Sequence, residues 1–88
     1  MRYRVTWDPD AFRALVGIWT AAGNPAEATE SFDQIESILS RDADQQGESR
    51  TQNLRILIVP PLGVVFEAFP DSGEVIVVDA WLIRPKRI

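Results

Sequence analysis

Cysteine and histidine are both absent from the 88 residues. That excludes disulfides, thiolate nucleophiles, imidazole general bases and Cys/His metal sites. No cofactor and no metal are expected. No apolar run approaches the roughly 18 residues of a membrane span, and the opening MRYRVTWDPD lacks the apolar core of a signal peptide. A soluble, cytoplasmic chain without a membrane partner is expected. Positive charge is scarce: nine Lys and Arg stand against 13 Asp and Glu, for a net charge of -4. Affinity for phosphate comes from Lys and Arg that release counterions, so a whole-molecule preference for nucleic acid is disfavoured.

What is present is unevenly placed. Residues 23–48 hold seven acids against Arg41 alone, whereas the last five residues read RPKRI. A local basic site at the C-terminal end therefore survives the unfavourable total. Hydrophobic residues make up 45% of the chain, enough for one modest core and too few residues for two. A single domain over residues 1–88 is expected.

Tyr3, Val5 and Trp7 alternate with Arg2, Arg4 and Thr6, the period-2 pattern of a strand with one buried face. Asp8 then caps a helix that has Pro9 at its first position, where a missing N–H costs nothing. Phe12, Leu15, Val16, Trp19 and Ala22 form its predicted apolar stripe, and Gly23 ends it. Asn24, Pro25 and Glu27 repeat the start signal, and Ala28, Phe32, Ile35, Ile38 and Leu39 give the second helix its stripe. So short a link predicts an antiparallel helical hairpin. Residues 41–53 read as a polar surface loop.

Three strands are predicted over 54–59, 64–69 and 75–83, with turns at PPLG and PDSG and a left-handed Gly73 in the second. The fold expectation is α+β: a two-layer sandwich of order β-α-α-β-β-β, its helical hairpin on one face of a mainly antiparallel four-stranded sheet. Alternation puts Leu54, Ile56, Ile58, Val64, Phe66, Ala68, Ile76, Val78, Ala80 and Leu82 on the helix-facing side. Arg55, Leu57, Val59, Val65, Glu67, Phe69, Val75, Val77, Asp79, Trp81 and Ile83 are expected on the open side. So apolar an open face calls for a protein partner or a second copy of the chain.

The segments RVTWDPDAFRALVGIW, LRILIVPPLGVVFEAF and VIVVDAWLI followed by RPKR span nearly the whole chain. In order and spacing they resemble the RelE/ParE superfamily of toxins from type II toxin–antitoxin systems, including plasmid stabilisation toxins. The resemblance implies a cognate antitoxin, encoded by an adjacent gene, that lays a segment across the toxin surface. In the RelE-like branch it implies metal-independent mRNA cleavage at the ribosome, with Lys and Arg stabilising phosphate charge. In the ParE-like branch it implies inhibition of DNA gyrase without catalysis, and a degenerate member would keep antitoxin binding alone.

By position, Arg55 and Arg84 match the family's catalytic cations, with Lys86 and Arg87 beside the latter. The basic residue at the start of the family's third strand falls here on Gly63 or Val64. The terminal tyrosine or histidine has no counterpart. Glu67, Phe69, Asp79, Trp81 and Leu57 are the expected partner contacts. Arg55 can equally be a strand residue paired with Glu67 or Asp79.

Overall fold

The computed structural model describes residues 2–21, 25–45 and 54–83, and the backbone of 48–49. The expected order holds: β1 (Arg4–Trp7), α1 (Pro9–Ala21), α2 (Pro25–Asp42), β3 (Leu54–Val59), β4 (Leu62–Phe69) and β5 (Glu74–Leu82). Between α2 and β3, a short 3₁₀ turn (Ala43–Gln45) and a two-residue strand, β2 (Glu48–Ser49), replace part of the expected loop. The sheet order is β1-β5-β4-β3-β2, with β1 parallel to β5 and the other pairs antiparallel. To the four expected strands it adds β2 as an edge.

Local chemistry explains the element ends. The Asp8 carboxylate accepts the Asp10 N–H at 2.9 Å, capping α1 just ahead of Pro9. Pro25 opens α2 as expected, while the proposed breaker Gly23 and cap Asn24 lie outside the described residues. In the β4–β5 turn both Ser72 N–H and Gly73 N–H donate to the Phe69 carbonyl, and Gly73 has φ 70°. Only glycine takes that angle without a Cβ clash.

The core lies between the helices and the sheet. Leu15 and Ile18 of α1 and Ile35 and Leu39 of α2 pack with Leu62, Val64, Phe66, Val75 and Val77. Trp7 and Trp19 flank Phe32, each with ring centroids 5.5 Å from it, and both indoles find an acceptor: Glu36 at 2.9 Å and Thr29 at 3.0 Å. Burying an indole body while its N–H stays bonded avoids the cost of an unpaired donor.

Helix α1 is rotated from its expected stripe. Ala11, Leu15 and Ile18 are buried, whereas Phe12 and Val16 are 52% and 46% exposed. Ala11, at 0% exposed, is small enough to sit where a larger side chain would hold the helix away from the sheet.

Two strands depart from the expected faces. In β3 the sides are exchanged: Val59 pairs with Leu62, Leu57 with Val64 and Arg55 with Phe66, all three partners being core residues. Directly opposed residues of an antiparallel pair point to the same side. Arg55, Leu57 and Val59 therefore face the helices, and Leu54, Ile56 and Ile58 face away. Leu57 and Val59 pack against the core, and Ile58 is 53% exposed.

In β5 a bulge changes the phase. Val65 pairs with Asp79 but Phe66 pairs with Val77, so Val78 is the extra residue. Before it Val75 and Val77 are core residues and Ile76 faces out. After it Ala80 and Leu82 turn inward, while Asp79 and Trp81 turn outward.

Candidate functional site

The open face of the sheet is read most simply in rows across the strands. Trp81, Gly63 and Ile58 form the first; Asp79, Val65 and Ile56 the second; Ile76, Glu67 and Leu54 the third; Glu74 and Phe69 the fourth. At the β1 edge, Thr6 and Arg4 extend the last two rows. The bulge at Val78 brings Asp79 and Trp81 into line with Val65 and Gly63.

The Trp81 indole lies flat on Gly63: a Cβ built there would come 2.6 Å from its Cε2 and Cζ2 and 2.9 Å from its Nε1. Gly63 thus lets a large ring rest on the sheet, and the ring covers the backbone beneath it. Trp81 and Phe69 remain half-exposed, as do Leu54, Ile56, Val65 and Ile76. Neither helix covers this surface. It is an apolar patch of the kind that a small domain keeps for a partner.

Its charges are mostly negative. Glu67, Glu74 and Asp79 share the face with Arg4 as the cation, and none of the three carboxylates forms an ion pair with a described residue. Asp79 instead accepts the Ala80 N–H at 2.8 Å, a bond that holds the bulge.

Four of the predicted contacts, Glu67, Phe69, Asp79 and Trp81, are brought together here. Leu57 and Arg55 are not. Both were expected on this face, and the β3–β4 register sends them to the other side. Leu57 joins the core margin. Arg55 sits near Asp44 of the 3₁₀ turn, where its charge helps hold the Asp44 carboxyl below its ordinary range. Pairing of Arg55 with Glu67 or Asp79 is thereby corrected, since the sheet separates them. Arg84, Lys86 and Arg87 lie outside the described residues.

Asp44 is held down first by the Tyr3 hydroxyl, which is placed to donate to it, against a smaller opposing effect of burial. Tyr3 is 5% exposed, and its hydroxyl lies near Asp44 without forming a hydrogen bond among the described residues. Burial, then the nearby carboxylates of Asp44 and Asp42, push the Tyr3 hydroxyl up. This cluster joins β1, the end of α2 and β3, and its evident work is structural.

A second concave region opens at the opposite end of the helical layer. A groove of about 390 Å³ is lined by Glu27, Pro60, Pro61 and Ile83, and an adjoining one of about 260 Å³ by Glu27, Glu30, Ser31, Gln34 and Pro60. Buried Ser31 fixes one wall by donating to the Pro60 carbonyl at 2.6 Å, and the Ile83 N–H donates to Pro61 at 2.7 Å. Sequence reading missed this groove and the open-face positions Leu54, Ile56, Ile58 and Glu74. The usable signal was the two-residue Pro60–Pro61 turn, whose length sets which β3 residues face those of β4. Among the described residues no cluster of three carboxylates could hold a metal ion. No described helix is long and apolar enough to cross a membrane.

The sequence matches no protein-family model, and no curated protein matches it. Solved structures do resemble it in fold. One is a chain of the RelBE2 toxin–antitoxin complex from Mycobacterium tuberculosis, with 13% identity, 93% of this chain and 99% of that one covered, and a TM-score of 0.76. Another comes from the chromosomal ParDE system of P. aeruginosa, with 16% identity, coverage of 94% and 98%, and a TM-score of 0.68. The isolated RelE toxin of E. coli matches with 14% identity, coverage of 96% and 87%, and a TM-score of 0.56. The chain has the RelE/ParE-like fold over essentially its whole described length.

Proposed function

We propose that this chain is the toxin-fold member of a type II toxin–antitoxin pair, acting in the cytoplasm. Its open sheet face receives a segment of the cognate antitoxin. The observation that carries this reading is the face itself, with the Trp81 indole lying over Gly63 among Ile58, Val65, Phe69 and Ile76. Carboxylates at Glu67, Glu74 and Asp79, without ion-pair partners among the described residues, select the chemistry of the segment: apolar residues alternating with Arg or Lys. The resemblance to toxins of antitoxin-paired systems supplies the partner class.

The same face favours a protein-directed, non-catalytic role over mRNA cleavage. A phosphate entering it would meet three carboxylates, and the strand cation Arg55 lies behind the sheet. Stabilising a developing phosphorane charge needs donors aimed at it. A gyrase-like protein target, or a member retaining only antitoxin binding, fits the charge better. The RelE-like reading would rest on Arg84, Lys86 and Arg87, with Arg55 at most an indirect support.

The test is co-expression with a short reading frame adjoining this gene, where one is found, followed by purification through a tag on one partner. The pair should co-purify, and the isolated chain should leave ribosome-bound mRNA uncut in primer extension while being assayed beside gyrase supercoiling. Failure to co-purify would overturn the pairing. Cleavage that is lost in Arg84→Ala would restore the nuclease reading.

A further inference from the structure

We propose that the free edge of β1 pairs with the same edge of a second copy of the chain, antiparallel across a twofold axis, so that two five-stranded sheets join into one. The proposal goes beyond the antitoxin reading and does not depend on it. Its starting point is a pair of residues with unused backbone groups. The Arg4 and Asp8 amides both donate to β5, at the Gly73 and Val77 carbonyls, each at 2.8 Å. Along a strand the backbone groups turn to alternate sides, so those of Val5 and Trp7 point away from β5. β1 ends the sheet on that side, and among the described residues nothing bonds the N–H and carbonyl of either residue. An open edge of this kind is a template for another strand.

The sequence around β1 selects the register. Val5 opposite Val5 of the second copy would also set Trp7 opposite Tyr3, whose N–H is already given to the Ser40 carbonyl at 2.7 Å. Trp7 opposite Trp7 would set Val5 opposite Pro9, which has no N–H to give. Val5 opposite Trp7 meets neither obstacle. There each residue exchanges both of its backbone bonds with the other, and the twofold axis repeats the exchange.

That register is complementary in its side chains as well. Thr6 meets Thr6 of the second copy at the axis, Val5 meets Trp7, and Arg4 comes opposite Asp8. Thr–Thr, aromatic–β-branched and opposite-charge pairs all stabilise neighbouring strands. Arg4 is exposed and forms no ion pair with a described residue, while Asp8 caps α1 through Oδ1 and keeps Oδ2 for a cation. Opposed residues of an antiparallel pair point to the same side, so the two open faces look the same way and form one broader surface. The contact is narrow, which makes the dimer weak and dependent on concentration.

The test uses the full chain alone, its concentration raised in steps to about 1 mM, as so narrow a contact requires. Amide exchange of Val5 and Trp7 should slow at least about fivefold over the series, while Arg4, Thr6 and Asp8, bonded to β5, stay protected throughout. Sedimentation velocity should show the dimer fraction rising in step. Val5→Pro removes an outward N–H that the fold does not use, a place where an edge strand tolerates proline. Arg4→Glu puts like charges opposite each other. Each variant should abolish both effects, and melting curves verify that each folds; the open-face pair Glu67→Gln/Asp79→Gln should leave dimerisation unchanged. A chain that stays monomeric at the highest concentration would overturn the proposal. So would a dimer whose Val5 and Trp7 amides exchange at the monomer's rate, or one indifferent to Arg4→Glu.

Discussion

The Trp81 indole rests directly on the Cα of Gly63, its cross-strand partner, with no room between them for a methyl group. Gly63→Ala should therefore destabilise the domain by about 1–3 kcal/mol, the usual range for overpacking. Backbone strain is not the cause, so the cost should vanish in a Trp81→Ala background, where alanine at 63 becomes neutral or mildly stabilising. Urea unfolding of the two single variants and the double variant measures that coupling. Equal costs of Gly63→Ala in both backgrounds would refute the stacked arrangement.

Trp81 is also the largest side chain on the open face. Buried aromatic anchors typically cost about 2 kcal/mol or more on truncation, a loss of roughly 30-fold in affinity. Trp81→Ala should weaken binding of the proposed antitoxin partner by that factor, with Trp81→Phe much closer to the unsubstituted protein. Titration calorimetry of both variants decides the point, and equal affinities would move the partner to another surface.

Tyr3 and Asp44 make stability sensitive to pH at both extremes. The depressed Asp44 carboxyl contributes stability that is present above the unfolded value of about 3.9 and is lost as pH falls through the lower folded value. The raised Tyr3 hydroxyl contributes stability that is present below about 10 and is lost as pH rises through its higher folded value. In Tyr3→Phe, Asp44 should titrate nearer its ordinary range and the alkaline loss should shrink. Carboxyl-detected NMR titration of Asp44 provides the check, and an unchanged midpoint would show that the hydroxyl does not reach it.

The rotation of α1 separates Ala11 from its neighbour Phe12. Ala11→Leu should cost about 1–3 kcal/mol by forcing a larger side chain between helix and sheet. Phe12→Ala, on the exposed side, should fall within about 0.5 kcal/mol of the unsubstituted protein. Denaturant midpoints compare the two. The reverse order of costs would place Phe12, and not Ala11, in the core.

The order of the two helices and the four main strands was determined by the sequence alone. Helix starts are local chemistry, a capping Asp8 ahead of Pro9 and a Pro25 at the first position of α2, and Gly73 is demanded by a turn that needs φ 70°. Trp81, Phe69, Glu67 and Asp79 were also legible as open-face residues, because period-2 alternation puts Phe69 on the side of charged Glu67 and Trp81 on the side of charged Asp79. What only the tertiary structure decided is which side β3 shows to the helices and where β5 changes phase. β3 is apolar on both faces, Leu54, Ile56 and Ile58 against Leu57 and Val59, so alternation contains no preference between them. Its direction comes from pairing: the two-residue Pro60–Pro61 turn places Val59 opposite Leu62, and every residue back to Arg55 follows. In β5 the extra residue at Val78 exchanges the faces partway along the strand, after a run, Val75 to Val78, that is apolar on both sides. Register is a property of two strands together, and one misplaced residue sends an entire side-chain set across the sheet. Arg55 crossed it for that reason, and with it the charge that would have made the open face a phosphate site.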